Sequence, residues 1–195
     1  MKQFQLVTDY ACPWCYLVNH YLLELKDQGI HYDIKPVTFQ LVPDAPQEGG
    51  SLLAIYPKEH ILGTYRRMAE KAEKYGITFD EDAKLYNTGL AHRLAAYMAE
   101  KGKLLEFSHE VYKGYFETAR NIADRDVLTD MIQQVGEDPT EAFAYGDSQE
   151  AMTRQKEDLQ IVRRYAVRSV PTIITANGEL LQGIDGAEDI QDRLE

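Results

Sequence analysis

The chain has 195 residues, 44% of them hydrophobic, enough to bury a substantial core in one or two domains. Acidic residues outnumber basic ones by 32 to 21, for a formal charge of −11. That balance argues against nucleic acid as a partner, because phosphate binding needs clustered Lys and Arg.

The first segment reads β-α-β. Phe4-Gln5-Leu6-Val7-Thr8 predicts a strand, and Leu17, Val18, Tyr21, Leu22 and Leu25 make one apolar stripe at helical spacing. Gln28-Gly29 supplies the helix stop. Residues 30–41, with Tyr32, Ile34, Val37 and Phe39, predict a second strand that Pro36 places at an edge or bulge. Residues 42–51 are rich in Pro, Gly, Asp and Gln and read as a loop.

A block of helices follows. Pro57 is expected in the first turn of a helix carrying Ile61, Tyr65, Met68, Ala72 and Tyr75, stopped by Gly76. Thr88 is the expected cap of the next helix, which runs to Gly102. Further helices are predicted over 104–118 and 124–136, from Asp138-Pro139, and along Leu159, Val162 and Tyr165. Arg66-Arg67 and Arg163-Arg164 read as solvated helix faces. Thirteen Tyr against six Phe suggests that some Tyr line a partly exposed groove. The chain then returns to β: 172–175 and 179–182 flank Ala176-Asn177-Gly178, a type I′ hairpin signal, and Asp185-Gly186-Ala187 leads into a last helix.

The chemistry is concentrated in Cys12-Pro13-Trp14-Cys15, which holds both cysteines of the chain at the strand-to-helix junction. Cys12 falls where unpaired backbone N–H groups and the helix dipole favour a thiolate. Pro13 suits a position that needs no N–H. Cys15 lies one turn on, within reach of Cys12. The expected roles are Cys12 as the more exposed nucleophile and Cys15 as the enclosed resolving thiol, with Trp14 facing outward between them. Zinc is disfavoured because His20, His31, His60, His92 and His109 offer no close His pair. A structural disulfide would gain little from so small a loop. Two inert core cysteines remain the bland alternative. Asp9 is expected to be a solvated turn residue, with proton relay as the alternative reading.

The order β-α-β, helices, β-β-α resembles a thioredoxin fold with an inserted helical domain, as in the DsbA family. Ser169-Val170-Pro171-Thr172 matches that family's cis-proline segment, which implies that Pro171 faces the cysteines and that the Val170 backbone pairs with substrate. Asp9-Tyr10-Ala11-Cys12-Pro13-Trp14-Cys15-Tyr16, Phe39-Gln40-Leu41-Val42-Pro43-Asp44-Ala45-Pro46, Asn87-Thr88 and Ala91-His92-Arg93-Leu94 are similar to the FrnE-like branch. With no cysteine beyond the pair, any second relay motif is absent. The resemblance implies an α/β thiol–disulfide oxidoreductase, often described as a possible disulfide isomerase. Its thioredoxin-like domain would comprise 1–55 and 150–195, and its helical insertion 56–149.

Two other function classes stay open. Kappa-class glutathione transferases and 2-hydroxychromene-2-carboxylate isomerases resemble the chain in fold, but typically carry a serine and lack the second cysteine. A binding module whose disulfide only senses redox state is the third reading. His92 and Arg93 are candidate substrate contacts: Arg93 for a carboxylate, His92 for local charge. The simpler expectation is that His92 caps or packs its helix while Arg93 pairs with an acid. The expected partner is a thiol or disulfide substrate, protein or glutathione, with no cofactor, metal, nucleic acid or membrane involved. No leader or spanning run is visible, so the expected location is cytoplasmic.

Overall fold

The computed structural model describes residues 2–80 and 84–194. Its centre is strand β1 (Lys2–Thr8), which pairs in parallel with β2 (Tyr32–Thr38), from Lys2 opposite Tyr32 to Thr8 opposite Thr38. On its other side β1 pairs antiparallel with β3 (Thr172–Thr175), which pairs with the short β4 (Leu180–Leu181). The order β2-β1-β3-β4 leaves β2 at an edge. Pro36 is tolerated there because an edge strand has one side free of ladder bonds.

Alternation along β1 serves two layers. Phe4 and Leu6 join Ile173 in a core formed with helix α1 (Pro13–Asp27) and helix α8 (Ala187–Leu194). Val7 turns to the other face, where it meets Val37, Ile174 and the Val162 of helix α7 (Gln149–Arg164). Between β2 and α7 lie α2 (Lys58–Ala72), α3 (Gly89–Glu100), α4 (Leu104–Thr118), α5 (Arg125–Gln134) and α6 (Pro139–Gly146). Helix α4 packs on α1, α3 and α5 through Phe107, Val111, Tyr112 and Phe116, all buried. The expected sequence of elements is therefore the observed one, a mixed α/β fold with a four-stranded sheet and, among the described residues, eight α-helices.

Several local expectations change. Strand β2 is shorter than 30–41, ending at Thr38. Pro57 stands just before α2, extended at ψ 145°, and its carbonyl receives the N–H groups of His60 and Ile61. Asn87 replaces Thr88 as the capping side chain, accepting from the Gly89 N–H at 2.9 Å, while the Thr88 hydroxyl caps nothing. Leu159 is exposed; Val162 carries the apolar face of α7. The hairpin is not type I′: neither Ala176 nor Asn177 has positive φ, and Gly178 alone does, at 85°. The Gly178 N–H donates to Thr175 and the Thr175 N–H to Glu179, giving a three-residue loop with glycine in the left-handed position. The Val170–Pro171 peptide bond before β3 is cis.

Candidate active site

Strand β1 ends one residue before Asp9, whose carbonyl accepts the Cys12 N–H at 3.1 Å and so folds the chain into the helix entrance. The Cys12 carbonyl then accepts from the N–H groups of Cys15 and Tyr16, which makes Cys12 the cap residue and puts Pro13 in the first turn. The Cys12 sulfur makes no hydrogen bond to the open N–H groups of that turn; its thiol points to the Val170 carbonyl, 3.6 Å away. One helical turn brings the two cysteines to about 3.5 Å, both free.

The two thiols differ in environment. Both are buried, but Cys12, at 5% exposed, forms part of a cleft wall, and Cys15, at 1%, does not line it. Burial pushes the Cys15 thiol well up, and its hydrogen bond with Cys12 and the proximity of that sulfur add to the shift. Cys15 is thus held protonated.

The cleft, about 220 Å³, opens over Cys12, Pro13 and Trp14. Its opposite wall is one face of α2, where Tyr56 precedes His60, Thr64 and Arg67 at helical spacing. Leu41 and Leu52 close one side, Tyr115 and Phe116 the floor. Trp14 is half-buried, not simply turned outward: its other side lines a second hollow with Val170, Pro171 and Gln182. Trp14 thus stands between the cleft over Cys12 and a hollow lined by Val170 and Pro171, and the Val170 carbonyl faces the Cys12 sulfur.

His92 and Arg93 are not in the cleft. His92 lies behind the cysteines, its ring 4.8 Å from that of Tyr10 and its Nε2 3.1 Å from Asp9 Oδ1. Arg93 turns the other way, donating to the Gly146 carbonyl and to Gln155 Oε1, so it joins α3 to α6 and α7 and forms no ion pair among the described residues. Asp9 is the largest correction. It is only 1% exposed, and its second oxygen accepts the Leu41 N–H at 2.7 Å. The turn position suggested solvent, but the inserted helices cover it. Around this pair stand Tyr10, hydrogen-bonded to Ser108, and Tyr112, whose hydroxyl donates to the Asp9 carbonyl at 3.5 Å. Burial raises both phenols, so they stay neutral. Some Tyr do line the groove, but most pack the core.

Sequence reasoning missed His60, Thr64 and Arg67. Their spacing of four and then three residues was the available signal, since it puts them on one helix face. Arg67 was read only as solvated surface, because the loop that folds Leu41 and Leu52 beside it has no periodicity.

Comparison with known proteins places this geometry. The chain is 25% identical over 173 residues to protein YwbO of Bacillus subtilis, covering 87% of this chain and 84% of that one. The probable DsbA oxidoreductase of Streptomyces coelicolor superposes with a TM-score of 0.83 at 19% identity, over 100% of this chain and 88% of its own. The cytosolic disulfide reductase DsbM of Pseudomonas aeruginosa, solved with GSH, gives 0.75 at 19% identity, over 98% and 96%. A 2-hydroxychromene-2-carboxylate isomerase shares the fold as well, at 0.72 and 18% identity, over 98% and 92%. The model of the DSBA-like thioredoxin domain matches residues 4–195, nearly the whole sequence. The chain is a member of the DSBA-like thioredoxin domain family.

Proposed function

We propose that the protein is a thiol–disulfide oxidoreductase, with disulfide isomerisation within its range, working through Cys12 and Cys15. The observation that carries this reading is the asymmetry of the pair: Cys12 opens to a cleft, and Cys15 waits about 3.5 Å behind it in a sealed pocket. In the reducing direction the Cys12 thiolate attacks a substrate disulfide, forming a mixed disulfide and releasing one substrate thiolate that takes up a proton. Cys15 then loses its proton and attacks the Cys12 sulfur. The second substrate thiolate leaves, and the protein, oxidised by two electrons, holds a Cys12–Cys15 disulfide.

Trp14, Val170 and Pro171 are proposed substrate contacts, since the Val170 carbonyl faces the Cys12 sulfur, Trp14 lines the cleft with it, and Pro171 lines the hollow on the other side of Trp14. His92 is proposed to act from behind the cysteines, and Arg93 has no support as a carboxylate anchor because its guanidinium is bonded internally. A FrnE-like character, a cytoplasmic location, and protein or glutathione thiols as partners belong to the same proposal; the cytosolic DsbM relative with GSH supports the last two. No helix of the described residues is long and apolar enough to cross a membrane. We further propose the division into a thioredoxin-like unit of 1–55 and 150–195 and a helical unit of 56–149. A glutathione transferase or isomerase role has less support, because Cys15 within reach of Cys12 adds nothing to glutathione activation.

The test is the redox equilibrium of the protein in graded glutathione buffers, read by thiol trapping and mass spectrometry. A reversible two-electron transition of Cys12 with Cys15 is expected. A potential of about −120 mV would mark an oxidant and about −270 mV a reductant. A stable glutathione adduct on Cys12 with no internal disulfide would refute the dithiol mechanism in favour of the glutathione-dependent class.

A further inference from the structure

The cleft over Cys12 does not end at Arg67. It shares Leu52, Ile61 and Tyr65 with a second cavity of about 580 Å³, which continues along α2 past Lys58 and Lys84. The charged or titratable side chains lining this double groove, besides Cys12 and the tyrosines, are His60, Arg67, Lys58 and Lys84; no Asp or Glu lines it among the described residues. That is opposite in sign to a chain carrying −11 overall. Neither Arg67 nor Lys58 forms an ion pair among the described residues, and the one polar contact of the Arg67 guanidinium is Thr64 Oγ1 at 3.3 Å. The groove is apolar between its cations, and Leu53 in its lining is 60% exposed.

We propose that this groove binds an extended peptide segment that presents its disulfide sulfur to Cys12 and carries acidic side chains onto Arg67 and Lys58. The inference rests on the dithiol reading above and names the substrate class of that same site. A peptide, not a small thiol, is favoured for two reasons. The groove runs on well beyond the 220 Å³ over the sulfur, and the exposed Leu53 offers apolar area that a small thiol leaves uncovered. Charge complementarity sets the sign: Arg67 and Lys58, without an acidic partner among the described residues, attract carboxylates and raise the encounter rate. Electrons and atoms balance as before, with the peptide disulfide reduced to two thiols and Cys12–Cys15 oxidised to a disulfide.

The experiment mixes the reduced full-length protein with symmetrical disulfides of matched peptides, whose single cysteine is flanked by Glu, Gln or Lys. Hydroxyethyl disulfide serves as an uncharged control and oxidised glutathione as a small anionic one. Trp14, the sole tryptophan, sits between the cysteines and reports oxidation by fluorescence. The Glu peptide is expected to react roughly tenfold faster than the Lys peptide, with the ratio falling toward one as salt rises. The net charge of the chain alone would favour the Lys peptide, so the sign decides. Arg67→Glu combined with Lys58→Glu should shrink or reverse the preference. Equal rates, or a faster Lys peptide on the unaltered protein, would overturn the proposal. Oxidised glutathione outpacing the Glu peptide would overturn the peptide as occupant. If hydroxyethyl disulfide and every peptide fail to form the Cys12–Cys15 disulfide, the dithiol reading itself falls.

Discussion

Asp9 gives the sharpest test of how the site is held together. Its carboxylate is 1% exposed, lies 3.1 Å from His92 Nε2, and accepts the Leu41 N–H at 2.7 Å. Asp9→Ala would leave that N–H without an acceptor, at about 1–3 kcal/mol. It would also strip the buried His92 Nε2 of its hydrogen-bond partner, at a further cost of about 1–3 kcal/mol. Asp9→Asn keeps an oxygen for Leu41 and most of the shape, so a loss of about 1–2 kcal/mol is expected. The assay is urea denaturation of the reduced protein, in excess dithiothreitol, so that no disulfide contributes. Combining Asp9→Ala with His92→Ala should recover a coupling of about 0.5–3 kcal/mol. An Asp9→Ala protein within about 1 kcal/mol of the parent, or an Asn variant as damaged as the Ala variant, would refute the view that this pair anchors the turn carrying Cys12.

Three further outcomes are expected. The half-buried His20 imidazole, packed against His109 with its Nε2 unpartnered among the described residues, is pushed down from 6.5 to about 4. The folded state thus resists protonation, so this contribution is complete above about pH 6.5 and is lost as pH falls toward about 4. Partial exposure screens it to about 1–2 kcal/mol. His20→Gln should remove that part of the acid sensitivity in denaturation curves, and an unchanged slope would contradict the assignment. In Cys15→Ser, incubation with a disulfide should accumulate a mixed disulfide on Cys12 that the parent protein resolves; peptide mapping that finds no Cys12 adduct would argue against Cys12 as the attacking sulfur. Gly178→Ala, forced into a left-handed backbone at φ 85°, should cost about 1–2 kcal/mol by thermal melting, and no loss would mean that the loop simply rearranges.

The sequence by itself determined what depends on neighbours along the chain. Strand β1 ran straight into Cys-Pro-Trp-Cys, the stripe from Leu17 to Leu25 made α1, and Gly29 and Gly76, at φ 81° and 66°, ended their segments as expected. Such features follow from backbone sterics, periodicity and unpaired helix ends, all local quantities. Even so, Thr88 holds the cap position while the Asn87 side chain makes the bond expected of it, and the expected type I′ turn is a three-residue loop closed by Gly178. Tertiary structure alone decided the site's surroundings. Asp9 looked like a turn residue in water and is buried because α3 brings His92 to it from 83 positions away. Arg93 looked able to reach substrate, but Gly146 and Gln155 claim its guanidinium. Arg67 is exposed, as its helix face suggested, but only the folded loop carrying Leu41 and Leu52 sets it in the wall of a cleft over Cys12. Burial, and the choice of partner that follows from it, is set by which distant segments exclude water from a group, and local sequence pattern does not encode that.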